Sequence, residues 1–251
     1  GERTEKINVK QSLLRHPSFI SLLLLFVLAG CATTISGNNK YSIHPPAITG
    51  SQLLVAVSES RASTTAKVYT LERTANAWAV RSGPFPAMTG RNGFAPPGEK
   101  REGDGRAPTG LFPLEFAFGY APAVDTKMPY RQATDDDLWV DDVTSPDYNT
   151  WVKRGITTAR SFEVMRLKDN RYSYGLVTGY NRNPIIKGYG SAIFVHVWLR
   201  EGYSTSGCVA LEEKRVVDIL RWLSPDARPQ ILMGAREDLP LLNTLPQLPD
   251  K

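Results

Sequence analysis

From residue 51 onward, short apolar runs alternate with glycine, proline and charged residues. The segments "QLLVAVS" (52–58), "AKVYTLER" (66–73) and "AWAVRSG" (77–83) are rich in β-branched and aromatic residues and too short for stable helices, which predicts three strands. Thr74-Ala75-Asn76 reads as a hairpin turn between the second and third. An extended loop, "GRNGFAPPGEKREGDGRAPTG" (90–110), follows before "LFPLEFAFGY" (111–120) returns to strand. "YSYGLVTGY" (172–180) and "SAIFVHVW" (191–198) are two further strands, the second ending near His196. The period then changes once. In "EEKRVVDILRWL" (212–223), Val216, Leu220 and Leu223 recur at helical spacing, with Val217 and Ile219 widening the stripe. Acidic residues open this helix and Ser224-Pro225 ends it. "PQILMG" (229–234) is the last strand. The tail from Ala235 carries leucines and prolines without a period and is expected on the surface. The pattern predicts a mainly β fold with one principal helix and no internal repeat.

Residues 1–30 follow a different logic. Basic residues precede "FISLLLLFVLAG" (19–30). Twelve apolar positions are short of the roughly 20 needed to span a bilayer, and they suit the core of a secretory signal. Leu28-Ala29-Gly30-Cys31 resembles the lipobox of bacterial lipoproteins, which implies lipidation of Cys31 as the mature N-terminus. A plain signal peptide or signal anchor with an incidental cysteine is the alternative. With Ala32 rather than Asp next, resemblance to enterobacterial sorting implies the outer membrane of a Gram-negative cell, facing the periplasm. Residues 31–50, small and polar around a Pro-Pro pair, read as a tether, and His44 within it as inert. The expected organisation is a signal at 1–30, the lipidated tether at 31–50, the folded domain at 51–236 and a tail at 237–251.

Composition narrows the function. The formal charge is +5. Setting aside Arg3, Lys6, Lys10 and Arg15 against Glu2 and Glu5 leaves a nearly even balance, and no basic cluster or RNA-type aromatic motif argues for nucleic acid. The chain has 2 cysteines. If Cys31 carries lipid, Cys208 is a lone thiol in an oxidising compartment, either buried and inert or kept for chemistry. "DDDLWVDD" (135–142) lacks the glycine and distal Glu of a calcium loop and reads as a solvated acidic face, with Trp139 and Tyr148 as packing residues. No HExxH and too few histidines speak for zinc. Gly202-Tyr203-Ser204-Thr205-Ser206 misses the last glycine of a serine-hydrolase elbow. No cofactor or metal is expected, and the protein is expected to be a monomer. "EGDG" (102–105) reads either as a substrate-lining turn or as a strand connection.

The candidate chemistry lies in "HVWLREGYSTSGCVAL" (196–211). His196 ends a strand, and Cys208 follows a loop of Gly202, Ser204, Thr205, Ser206 and Gly207, with a helix beyond. A helix N-terminus favours thiolate over thiol, which predicts a lowered Cys208 pKa and, through pairing, a raised His196 pKa. The imidazole can take the thiol proton and return it to a leaving amine. Gly207 lets the backbone approach closely, so the amides of Gly207 and Cys208 could face an oxyanion. The bland alternative makes Cys208 a small buried hydrophobe and His196 a strand residue with a satisfied hydrogen bond.

His196 followed by Thr205-Ser206-Gly207-Cys208 resembles the L,D-transpeptidase catalytic domain, the YkuD-like family, in a branch with Thr/Ser-x-Gly-Cys-Val-Ala-Leu. "GRNGFAPPGEKREGDGRAPTGLFPLEFAFG" (90–119) resembles the same branch, and the likeness spans about 51–236. It implies a β-sandwich or barrel-like fold with its helix after the catalytic Cys. It implies Cys208 as nucleophile, His196 as base and the Val197 carbonyl as the third member. Cys208 would attack the L,D amide after the third residue of a peptidoglycan stem peptide, D-Ala would leave, and an amine or water would resolve the thioester. Hydrolysis alone, as by a thiol L,D-carboxypeptidase or amidase, and non-catalytic wall binding are the alternatives. Ser206 stands where the family often has His, and Ala210 where many members have Arg or Asn for a substrate carboxylate. The His-to-Cys spacing is also shorter. Thr205 and Ser206 are expected at the substrate, and Arg101, Arg106, Lys187 and Arg200 are the candidates for its carboxylate.

Overall fold

The computed structural model describes residues 47–75 and 77–250. The signal, Cys31, His44 and most of the tether lie outside the described residues. Twelve strands and one α-helix follow in chain order: β1 (Gln52–Ser58), β2 (Thr65–Thr74), β3 (Ala77–Met88), β4 (Gly110–Gly119), β5 (Tyr130–Gln132), β6 (Asp137–Val140), β7 (Trp151–Lys153), β8 (Phe162–Val164), β9 (Tyr174–Thr178), β10 (Phe194–Val197), β11 (Val209–Leu211), α1 (Glu213–Trp222) and β12 (Gln230–Ala235).

Nine strands form one sheet in the order β12-β1-β2-β3-β11-β10-β9-β4-β5, and β12 also pairs with β4. That extra pairing closes the sheet on itself and leaves only the three-residue β5 as an outer strand, paired to β4 alone. The first half of β4 pairs with β12 and the second half with β5. β6, β7 and β8 make a separate three-stranded sheet.

The two faces of the closed sheet are read off alternating residues. Leu54, Val195, Val197, Val209 and Leu211 join a core that also takes Val216, Ile219 and Leu220 from α1. Leu53, Val55, Val57 and Tyr69 face the opposite way, into a core covered by the chain end. β1 is buried along its whole length because both faces are covered. The tail is therefore more than a surface strand. Leu239 is buried, Leu241, Leu242, Leu245 and Leu248 pack on the same core, and Tyr69 Oη donates to the Pro249 carbonyl at 2.8 Å.

The small sheet covers the face of β9 and β10 that carries the candidate chemistry. Its Trp139 meets Phe194 edge-on at 5.0 Å, and Phe118 meets Phe194 at 5.2 Å. The acidic run departs from expectation here. Asp137 is fully buried and accepts from Trp151 Nε1, Lys153 Nζ and Thr134 Oγ1. A carboxylate with so many donors is a structural knot rather than a solvated face, and these bonds hold its pKa down to about 2 against the cost of burial.

Candidate active site

β10 and β11 run parallel, with His196 beside Ala210 and Val195 beside Val209. Side chains two apart share a face, so Phe194, His196, Cys208 and Ala210 lie on the side covered by the small sheet. Cys208 and His196 line one cavity of about 630 Å³. Both are buried, at 8% and 5% exposure.

The expected helix terminus at Cys208 is not there. The three-residue strand β11 separates the thiol from α1. The pKa directions follow burial instead. Cys208 is pushed up to about 12, desolvation outweighing the Phe194 N–H that favours thiolate. His196 is pulled down to about 4, again chiefly by burial. The resting pair is a neutral thiol and a neutral imidazole, the reverse of the expected ion pair. Cys208 Sγ donates to the Ala192 carbonyl at 3.2 Å and accepts from the Phe194 amide at 3.4 Å.

His196 Nδ1 lies 2.7 Å from the carbonyl oxygen of Val197. A carbonyl only accepts, so Nδ1 carries the proton and Nε2 the lone pair. The Tyr172 ring packs edge-on against the imidazole at 5.2 Å and restrains its plane.

The loop before Cys208 is clamped by Thr205. Its Oγ1 donates to the Cys208 carbonyl at 2.7 Å and accepts from the Gly207 amide at 3.0 Å. Thr205 N–H in turn donates to the Thr89 carbonyl. Of the two amides expected to face an oxyanion, that of Gly207 is thus engaged, which leaves Cys208 N–H for the role. Gly207 has φ +148°, and a Cβ there would sit 2.7 Å from the Arg106 carbonyl oxygen. Only glycine fits this turn.

The cavity brings together Cys208, His196, Thr205, Ser206 and Gly207. The basic residues around it are not the expected ones. Arg91, Lys100 and Arg171 line it, whereas Arg101, Arg106, Lys187 and Arg200 do not. Arg101 stacks on Tyr189 and Arg200 lies over Tyr203. Arg106 contributes its backbone to the Gly207 turn. Lys100 is buried and bonded to Asp104 at 2.6 Å, and Arg171 is forked onto Asp169. Arg91 Nη1 donates to Ser206 Oγ at 2.9 Å. Sequence reasoning missed Arg91, whose only signal is its place in the 90–110 loop.

The "EGDG" turn lines the cavity through Glu102, Gly103 and Gly105. Glu102 accepts from Tyr148 Oη at 2.6 Å and Ser191 Oγ at 2.7 Å, tying the turn to the segment that enters β10. No group of three metal-ligating side chains occurs among the described residues.

The family model described as the L,D-transpeptidase catalytic domain (YkuD) matches residues 57–231. No curated protein matches the chain. Two solved structures are similar over 74% of this chain and 48% of theirs, each with a TM-score of 0.39: Bd1075 of Bdellovibrio bacteriovorus, at 14% identity, and the helical cell shape determining protein Pgp2 from Campylobacter jejuni, at 13%. The chain spans about half the length of either.

Proposed function

The chain belongs to the L,D-transpeptidase catalytic domain family, and from that premise we propose that it transfers acyl groups of peptidoglycan stem peptides through a thioester on Cys208. The observation that supports this reading is that His196, its Nδ1 held by the Val197 carbonyl, lines the same cavity as Cys208.

In this reading the thiol rotates from the Ala192 carbonyl as substrate enters, and Nε2 takes its proton while Sγ attacks the carbonyl carbon of the third stem residue. The C–S bond forms as the oxygen charge builds toward Cys208 N–H. Collapse breaks the C–N bond, and His196 returns the proton to the departing amine, D-alanine. An amine of a second stem then attacks the thioester, His196 accepts its proton, and the thiol is restored. A thiol near 12 and an imidazole near 4 need no standing charge in a buried site. They form the ion pair only when substrate can stabilise it. Arg91, beside Ser206 at the mouth, is the side chain best supported to meet a stem carboxylate where Ala210 cannot.

The placement we propose is the cell envelope, by a lipid at Cys31. Mass spectrometry of muropeptides after incubation of the protein with cell-wall fragments tests the activity. New cross-linked stems that depend on Cys208 are expected, and loss of terminal D-alanine without cross-links would make the enzyme a hydrolase.

A further inference from the structure

Lys100 is a buried cation that the acyl transfer above leaves without a part. It is 4% exposed and lines the cavity that holds Cys208. Its stem passes Gly190, where a Cβ would sit 3.0 Å from Lys100 Cε. Gly190 leads through Ser191 to Ala192, whose carbonyl accepts from the Cys208 thiol. The ammonium thus enters the cavity beside the segment on which the thiol rests.

Its partners fix the ammonium and leave part of it free. Lys100 Nζ donates to Asp104 Oδ1 at 2.6 Å and to the Arg101 carbonyl at 2.7 Å. An ammonium has three protons, and the third finds no acceptor among the described residues. Asp104 also accepts from the amides of Arg101 and Arg106, each at 2.8 Å, so its charge is shared among three donors. An apolar pair of similar volume often holds a buried contact as well as an ion pair does, so stability alone does not explain this one.

The other charged groups that face Cys208 do not do the same work. Arg91 is exposed and Arg171 half-buried, so water screens both, whereas a buried charge is screened far less. His196 is neutral at rest, pulled down to about 4 by burial. Glu102 is held by the hydroxyls of Tyr148 and Ser191. Asp141 and Glu163 add negative charge from the small sheet, with Tyr172 Oη bonded to Glu163. Glu163 opposes a negative charge on the sulfur, and Lys100 favours it.

We propose that Lys100 is the fixed cation of the active site, which stabilises the negative charge on Cys208 Sγ as the thiol gives up its proton. It acts through Cys208 as a positioning residue, by charge rather than by making or breaking a bond. This rests on the acyl-transfer reading above, in which Cys208 is the nucleophile, and adds the group that makes a thiolate attainable in a buried site. Loss of the charge slows every reaction of the thiolate. Loosening of the site would instead expose the thiol and speed its reactions.

The test is alkylation of Cys208 by iodoacetamide, a small neutral probe that needs no stem-peptide binding. Rates are followed by intact mass across pH 7–10, with peptide mapping to separate Cys208 from Cys31. Lys100→Met, which keeps the length and removes the charge, is expected to react about 10-fold more slowly than wild type at each pH. Lys100→Arg is expected to recover most of the rate. Asp104→Asn, which leaves the ammonium uncancelled, is expected to react at least as fast as wild type, and it decides the matter if Lys100→Met does not fold. With a tetrapeptide donor, Lys100→Met should lower kcat by about 10-fold and leave KM within about 2-fold. Equal or faster alkylation in folded Lys100→Met, an unchanged kcat, or a 10-fold slower Asp104→Asn would overturn the role. If alkylation follows the expected pattern but the tetrapeptide never acylates wild-type Cys208, the acyl-transfer reading falls and the charge effect of Lys100 stands.

Discussion

His196 Nδ1 and the Val197 carbonyl oxygen, 2.7 Å apart on adjacent residues of β10, set the tautomer of the one histidine in the cavity. The acceptor is backbone, so the contact survives any side chain that keeps the strand. Val197 itself is buried in the core beneath the site. Val197→Ala should therefore lower the melting temperature, by a cost of about 1–3 kcal/mol for the lost packing. It should leave the pH dependence of Cys208 acylation in place, which a rate–pH series can check.

The buried pair makes two pH predictions of opposite sense. His196 has a folded pKa near 4, below its unfolded value of about 6.5. Between these values the unfolded chain binds the extra proton, so stability falls as pH drops from about 6.5 to 4, by up to about 3 kcal/mol. Cys208, near 12 when folded and about 9 otherwise, is the reverse. Stability falls as pH rises above about 9, where only the unfolded thiol ionises. Denaturant titrations across pH 4–10 should lose the acid limb in His196→Gln and the alkaline limb in Cys208→Ala. Limbs retained in both variants would place these pKa shifts elsewhere.

The same burial sets the activity profile. Acylation should stay active well below pH 6.5, since the free base persists to about 4. His196→Gln should slow it by roughly 10²–10⁴-fold. A wild-type rate in that variant would reduce His196 to a strand residue.

How far the sequence foretold this depends on run length. β1, β2, β3, β4, β9, β10, β12 and α1 come from stretches long enough to show a period. β5, β7, β8 and β11 are three residues each, below any periodic signal. Missing β11 had a chemical consequence, for it placed a helix dipole at Cys208 that three strand residues displace. Burial then reverses both pKa directions, and burial depends on Phe118, Trp139 and Tyr172 arriving from other segments. Asp137 misled for the same reason, because Lys153 and Trp151 come from another strand. The place of Arg91 at the cavity is decided by the path of the 90–110 loop, which glycine-rich sequence leaves open.

Gly207→Ala should be the most damaging conservative change near the site. The new Cβ meets the Arg106 carbonyl, and φ +148° is strained for alanine. The cost is about 1–3 kcal/mol if the backbone holds. If the backbone moves instead, it carries Cys208 with it, and kcat should fall by about 10²-fold. Thermal melts and acylation rates together separate the two outcomes, and an unchanged protein in both would contradict the tight turn.

Thr205→Val keeps the shape and removes two hydrogen bonds, to Gly207 N–H and the Cys208 carbonyl. A loss of about 1–3 kcal/mol in local stability is expected. It should read out as faster hydrogen exchange at the Gly207 amide and at least a 10-fold lower kcat. Thr205→Ser should restore most of both.

The proposed activity depends on a thioester between Cys208 and the stem peptide. Intact-protein mass spectrometry after brief acid quenching, with a tetrapeptide donor, tests it most directly. A mass increase equal to the donor less its terminal D-alanine is expected, mapped to Cys208 by peptide sequencing and reversed by an added amine. Cys208→Ala should show no increase. An adduct on another residue, or turnover of the donor by Cys208→Ala, would contradict it.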